Sequence, residues 1–148
     1  MILWRISQYH ELDGIGGLRA PGRWHKQGSR IVYCAPNPSA ALLEVLVHIR
    51  IDIGDLPDPL DYLEIDVPDT LAAESVDAAA LGRSWQTNDE ATQRAGDAWL
   101  RSMRTALLRV PSVITPGTWN VLINPRHSES AEVRIIGIHR HSIDRRLV

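Results

Sequence analysis

The sequence predicts a single α+β domain spanning residues 1–148, and three observations carry that prediction. Strand-like segments precede, interrupt and follow the helix-like ones without the regular alternation of a doubly wound sheet. The length of 148 residues is that of one compact domain. Hydrophobic residues at 44% and charged residues at 23% are enough to bury a core, which excludes wholesale disorder.

Taken in order, residues 2–6 (ILWRI) alternate well enough for a first strand. A long polar loop with five glycines follows over residues 10–29. Residues 30–35 (RIVYCA) are rich in β-branched and aromatic types and predict a second strand. Asn37-Pro38 is a helix start, with Asn as N-cap and Pro at the first helical position, and SAALLEVLVHI carries the helix to about Ile49. Residues 62–67 (YLEIDV) alternate as a half-buried strand. Residues 91–108 predict a helix because Ala95, Ala98, Trp99, Met103, Ala106 and Leu107 recur at spacings of three and four. Short strands at 108–113 and 118–123 flank a turn at Pro116-Gly117, and residues 132–138 make the last strand.

Charge is unevenly spread. Residues 52–90 hold eleven acids against one base, Arg83, whereas the segments on either side lean basic. Pro57, Pro59 and Pro68 predict loops and short elements in that acidic stretch. The formal net charge of −2 argues against direct nucleic-acid binding by this chain. No run of 18 apolar residues predicts a membrane span, and the first residues lack the basic-then-apolar pattern of a secretory signal, so a cytoplasmic protein is expected. Cys34 is the single cysteine, which excludes an internal disulfide and a Cys-rich zinc site. Fifteen of the sixteen basic residues are Arg, the exception being Lys26. Codon bias accounts for that, or some of the arginines grip carboxylate or phosphate, where a planar fork outperforms an ammonium.

Several residues are candidates for chemistry. The loop GGLRAPGRWHKQGS combines glycines with Arg19, Arg23, Lys26 and Arg30, a pattern that fits an anion site such as a diphosphate and equally an ordinary solvated loop. It completes neither GxxxxGK[ST] nor GxGxxG. Glu44 lies in an otherwise apolar helix, where a carboxylate must reach the rim, pair with a cation or border a pocket. His48, four residues on, shares its face as a second metal ligand or, more simply, as a packed or capping histidine. Tyr33 is a packed strand tyrosine or a site residue, and Cys34 beside it is favoured as a buried thiol. Ser112, Asn120 and Asn124 serve as turn and cap residues or as a polar wall for a ligand. The five tryptophans are core or rim, with Trp24 placed to line a pocket beside Arg23.

GRWHKQGSRIVYCAPNPSAALLEVLVH, followed by DAWL, LLRVPSVI, WNVLINPRH and DRRL, resembles the RES domain, from Trp4 to Leu147. That family supplies the toxin half of bacterial toxin–antitoxin pairs with Xre-type antitoxins. The resemblance implies an NAD⁺-consuming enzyme with a fold similar to ADP-ribosyltransferase toxins. The matching residues are Arg23, Tyr33, Glu44 and Ser112. In this picture Glu44 stabilises an oxocarbenium-like ribose, Arg23 grips the diphosphate and Tyr33 borders the nicotinamide. Ser112 hydrogen-bonds ribose or carboxamide, and Asn124 joins it as a substrate-binding residue. NAD⁺ is then a substrate, with no cofactor and no metal required. Its cleavage is by hydrolysis or phosphorolysis, or the ADP-ribose passes to a cellular protein. An Xre-type helix-turn-helix antitoxin is expected to occlude the cleft. One departure is His25, where the family more often has Asn; its expected effect falls on loop packing more than on chemistry.

Overall fold

The computed structural model describes residues 1–48 and 56–148. Two sheets organise them. The first has the order β1-β3-β7, from β1 (Ile2–Ile6), β3 (Leu60–Asp66) and β7 (Arg134–His141), all antiparallel. The second has the order β2-β6-β5-β4, from β2 (Val32–Cys34), β6 (Trp119–Ile123), β5 (Leu107–Pro111) and β4 (Ala73–Ser75). Its β4–β5 pair is parallel and the others are antiparallel. A reciprocal bridge between Trp4 and Ala35, with N···O distances of 2.9 and 2.8 Å, ties the two sheets together.

The main core lies where the sheets face each other. Leu3, Leu63, Ile65, Val32, Cys34, Leu107, Val121 and Ile123 pack there, each the inward member of its strand's alternation. The second sheet is also covered on its other face. Leu108, Val110 and Leu122 point that way and pack against Trp24, Trp85, Trp99 and Leu100. That cover comes from helix α4 (Asp89–Ser102), the short turn Trp85–Thr87 before it, and the long loop before β2, which contains one short helical turn, α1 (Gly16–Arg19).

Helix α2 (Pro38–His48) begins as expected: the Asn37 side chain accepts from the Ala40 N–H at 2.8 Å, with Pro38 at its first position. The expected end at Ile49 lies outside the described residues. The helix expected over 91–108 is shorter, because Met103 adopts the left-handed conformation (φ 56°) and terminates α4. Ala106, Leu107 and Leu108 are instead a strand entry buried on both faces of its sheet, and a continuous apolar run extends a helical pattern by accident. In the acidic stretch the short elements are β4 and a turn of helix, α3 (Ala78–Leu81). The last strand runs later than expected, to His141.

Candidate functional site

Strand register assembles the site. Tyr33 pairs with Leu122, and Val110 pairs with Asn120. Residues directly opposite, and residues two apart along a strand, share a face. The Ser112 N–H donates to the Thr118 carbonyl at 2.8 Å, extending the ladder one step beyond Pro111. Tyr33, Leu122, Asn120, Val110 and Ser112 therefore lie on the same face of the second sheet. Leu122 and Val110 are sealed beneath α4, whereas Asn120 and Ser112, toward the hairpin end, are half-buried.

Glu44 reaches this face from α2. Its Oε1 accepts a hydrogen bond from the Asn120 amide nitrogen at 2.8 Å, linking residues 76 apart in sequence. Among the described residues the buried Oδ1 of Asn120 meets no donor. The Ser112 hydroxyl oxygen accepts from the N–H groups of Ile114 (3.1 Å) and Thr115 (3.3 Å), which leaves its own O–H as a donor.

Arg23 sits on a strap of residues 20–26 held from two sides. From the sheet side, the Tyr33 hydroxyl lies 3.1 Å from the Trp24 backbone nitrogen and 2.7 Å from His25 Nδ1. From the α4 side, the buried Thr92 hydroxyl donates to the Arg23 carbonyl at 2.6 Å and the Gln93 amide donates to the Gly22 carbonyl at 2.9 Å. The Arg23 guanidinium donates through Nη1 to the Gln86 carbonyl (2.9 Å) and the Asp89 carboxylate (3.2 Å) at the start of α4, and its side chain stays about one-third exposed at 31%. Burial pushes the Tyr33 hydroxyl far above the usual phenol range. Arg5, which sequence reasoning passed over, donates from Nη1 to the Tyr33 carbonyl at 3.0 Å. The signal available was an arginine inside the otherwise apolar strand ILWRI.

Other expected residues lie elsewhere. Asn124 is 1% exposed, and its amide donates to the Leu100 carbonyl (3.2 Å) and the Met103 sulfur (3.4 Å) while its Oδ1 accepts from the Arg126 N–H (3.1 Å). These contacts lock the end of β6 to the end of α4. Asn124 reaches a cavity of about 260 Å³ shared with Arg30, Arg101 and Arg126. Arg30 also donates from Nη1 to the Asp13 carbonyl at 3.1 Å, whereas Arg23 is held at the start of α4. Trp24 does not line a pocket: it is 3% exposed and packs against Trp85 at 6.2 Å between ring centroids. His48 is exposed in the last turn of α2, and no group of three metal-ligating side chains is found among the described residues. Cys34 is buried between the sheets, and desolvation pushes its thiol up to about 12. A disulfide reagent at pH 8 is accordingly expected to leave the native protein unmodified and to label Cys34 only after denaturation; rapid native labelling would contradict that burial.

The site thus offers a carboxylate oriented by an amide, an arginine anchored at the start of α4, and a hydroxyl donor. These suit a substrate that carries an anionic group and develops positive charge as it reacts.

Comparison with known proteins identifies the family and the fold. The family model described as "RES domain" matches residues 2–145. A protein of Pseudomonas putida named "Toxin Res" is 45% identical over 135 residues, 91% of this chain and 92% of that protein. A Sphingobium protein named "Prs ADP-ribosylating toxin" is 35% identical over 98% of this chain and 95% of its own. Among solved structures, the M. tuberculosis MbcT–MbcA toxin–antitoxin complex contains a chain that matches with a TM-score of 0.75. That match covers 95% of this chain and 84% of the other at 18% identity, a likeness of fold. The family model over nearly the whole chain and the identity to these relatives lead to one assignment: the chain belongs to the RES domain family.

Proposed function

We propose that this chain is the toxin of a toxin–antitoxin pair and that it breaks the nicotinamide–ribose bond of NAD⁺. The observation that carries the proposal is the Glu44 carboxylate, held by Asn120 on the sheet face that also bears Tyr33 and Ser112. When the C–N bond breaks, its electron pair leaves with neutral nicotinamide and the ribose carbon gains oxocarbenium character. A carboxylate fixed in a half-buried, largely apolar helix stabilises that charge more strongly than it would in water. Arg23 supplies a planar cation for the diphosphate. Water attacking the ribose carbon gives ADP-ribose and a proton, and inorganic phosphate gives the phosphorylated sugar. NAD⁺ is consumed as a substrate, without a separate cofactor.

The decisive experiment incubates the folded protein with NAD⁺, with and without phosphate, and identifies the products. Nicotinamide release is the expected result, and its absence under every condition rules the activity out. A second reading, transfer of ADP-ribose to a protein, is supported by the relative named as an ADP-ribosylating toxin. It requires label from NAD⁺ to enter a protein band in a cell lysate. The proposed partner is an Xre-type helix-turn-helix antitoxin that covers the cleft near Arg23. Its coexpression should both restore growth and suppress nicotinamide release.

A further inference from the structure

We propose that His25 and Tyr33 form a positioning pair that holds the Arg23 strap, so that the Tyr33 hydroxyl serves the protein while Arg23 serves the substrate. His25 is 3% exposed, and its Nε2 lies 3.0 Å from the Ala20 carbonyl oxygen. A carbonyl only accepts, so Nε2 carries the hydrogen, and in the neutral ring Nδ1 is then an acceptor. Nδ1 takes the Tyr33 O–H at 2.7 Å, and the same phenolic oxygen accepts the Trp24 N–H at 3.1 Å. The polar atoms of both side chains are thereby satisfied within the protein. The fit is close: a Cβ at Gly22 would strike the Tyr33 hydroxyl, and one at Gly17 would stand 3.1 Å from His25 Nε2. Arg23 precedes Trp24 directly, and its own carbonyl is taken by Thr92 of α4. The backbone at Arg23 is consequently bracketed by Tyr33 on one side and α4 on the other. An Asn at position 25 also offers an oxygen acceptor for the hydroxyl, so the departure noted in the sequence preserves the chemistry of the contact.

The kinetic consequence rests on the NAD⁺ reading above: loosening Arg23 weakens the hold on the diphosphate without altering the groups at the scissile bond. The test compares wild type with Tyr33→Phe, His25→Leu and His25→Asn in nicotinamide release from NAD⁺. Tyr33→Phe and His25→Leu are expected to raise KM about tenfold with kcat within about threefold, and His25→Asn to recover most of the loss. A fall in kcat at constant KM in Tyr33→Phe would place the hydroxyl at the reacting atoms, and unchanged constants would remove its positioning role; either overturns the proposal. Trypsin cleavage after Arg23, followed by mass spectrometry, needs no substrate and should accelerate about tenfold in Tyr33→Phe and His25→Leu as the strap opens more often. Unchanged cleavage overturns the clamp whatever the substrate. Failure of the wild type to release nicotinamide counts against the NAD⁺ reading alone. Tyr33→Phe keeps the ring in place, so the test survives if His25→Leu does not fold.

Discussion

Replacing Glu44 by Gln is expected to lower the rate of nicotinamide release from NAD⁺ by about 10²–10³-fold with no loss of folded protein. The substitution keeps the size of the side chain and leaves a carbonyl oxygen to accept the 2.8 Å hydrogen bond from Asn120, so that geometry persists while charge disappears. Under the proposed reaction, what is lost is the electrostatic stabilisation of positive charge at the ribose carbon, often the largest single contribution a fixed group makes. Glu44 is half-buried and makes no ion pair among the described residues, so its neutralisation leaves no opposite charge unpartnered. Nicotinamide release by chromatography and a thermal melt check the two halves of the prediction. A loss below about tenfold in a folded variant would remove Glu44 from the chemistry.

Gly96→Ala should destabilise the protein by about 2 kcal/mol net, although Ala is the better helix former. Helix propensity favours Ala by about 1 kcal/mol, whereas overpacking against an element that cannot yield costs about 3 kcal/mol. The Cβ added at Gly96 would fall on the Trp24 carbonyl oxygen, which is backbone and cannot rotate away. The strap is also pinned by Thr92, Gln93 and the Asp97 carboxylate, whose oxygens lie 3.3 Å from the Lys26 nitrogen. A melting temperature lower by about 4–8 °C is expected for a domain of this size. The displaced strap also carries Arg23, so activity should fall further than stability alone explains. Gly16→Ala is the control, since a Cβ there meets nothing within 4 Å. Equal melting temperatures for Gly96→Ala and wild type would show that the strap is not seated on α4.

Local pattern was a good guide wherever one face of an element is wet or a cap is explicit. The start of α2 at Asn37-Pro38 and the alternation of β1 were legible for that reason. It misled at residues 103–108, where a left-handed Met103 and a strand buried on both faces imitate helical spacing. The parallel edge strand β4 was illegible because AES has no alternation of its own and is recruited by β5.

The candidate site residues divide the same way. Arg23, Tyr33, Glu44 and Ser112 were identifiable as residue types set in unusual surroundings and by family resemblance. Their arrangement was not: Glu44 meets Asn120 across 76 residues, and only the β5–β6 register puts Asn120 beside Ser112. Asn124 has the same chemistry two turns of the pleat along the same face, yet the end of α4 consumes its amide. His25, read as a departure affecting loop packing, proves to be the hydrogen-bond partner of Tyr33. By itself, then, the sequence determined an α+β chain and the identity of most candidate groups, because composition, capping and strand alternation are local properties, and its motif blocks carried the resemblance to its family. Which polar groups face a ligand and which are spent holding the fold was decided only by tertiary structure, because hydrogen-bond satisfaction depends on partners that strand register and helix packing bring in from distant parts of the chain.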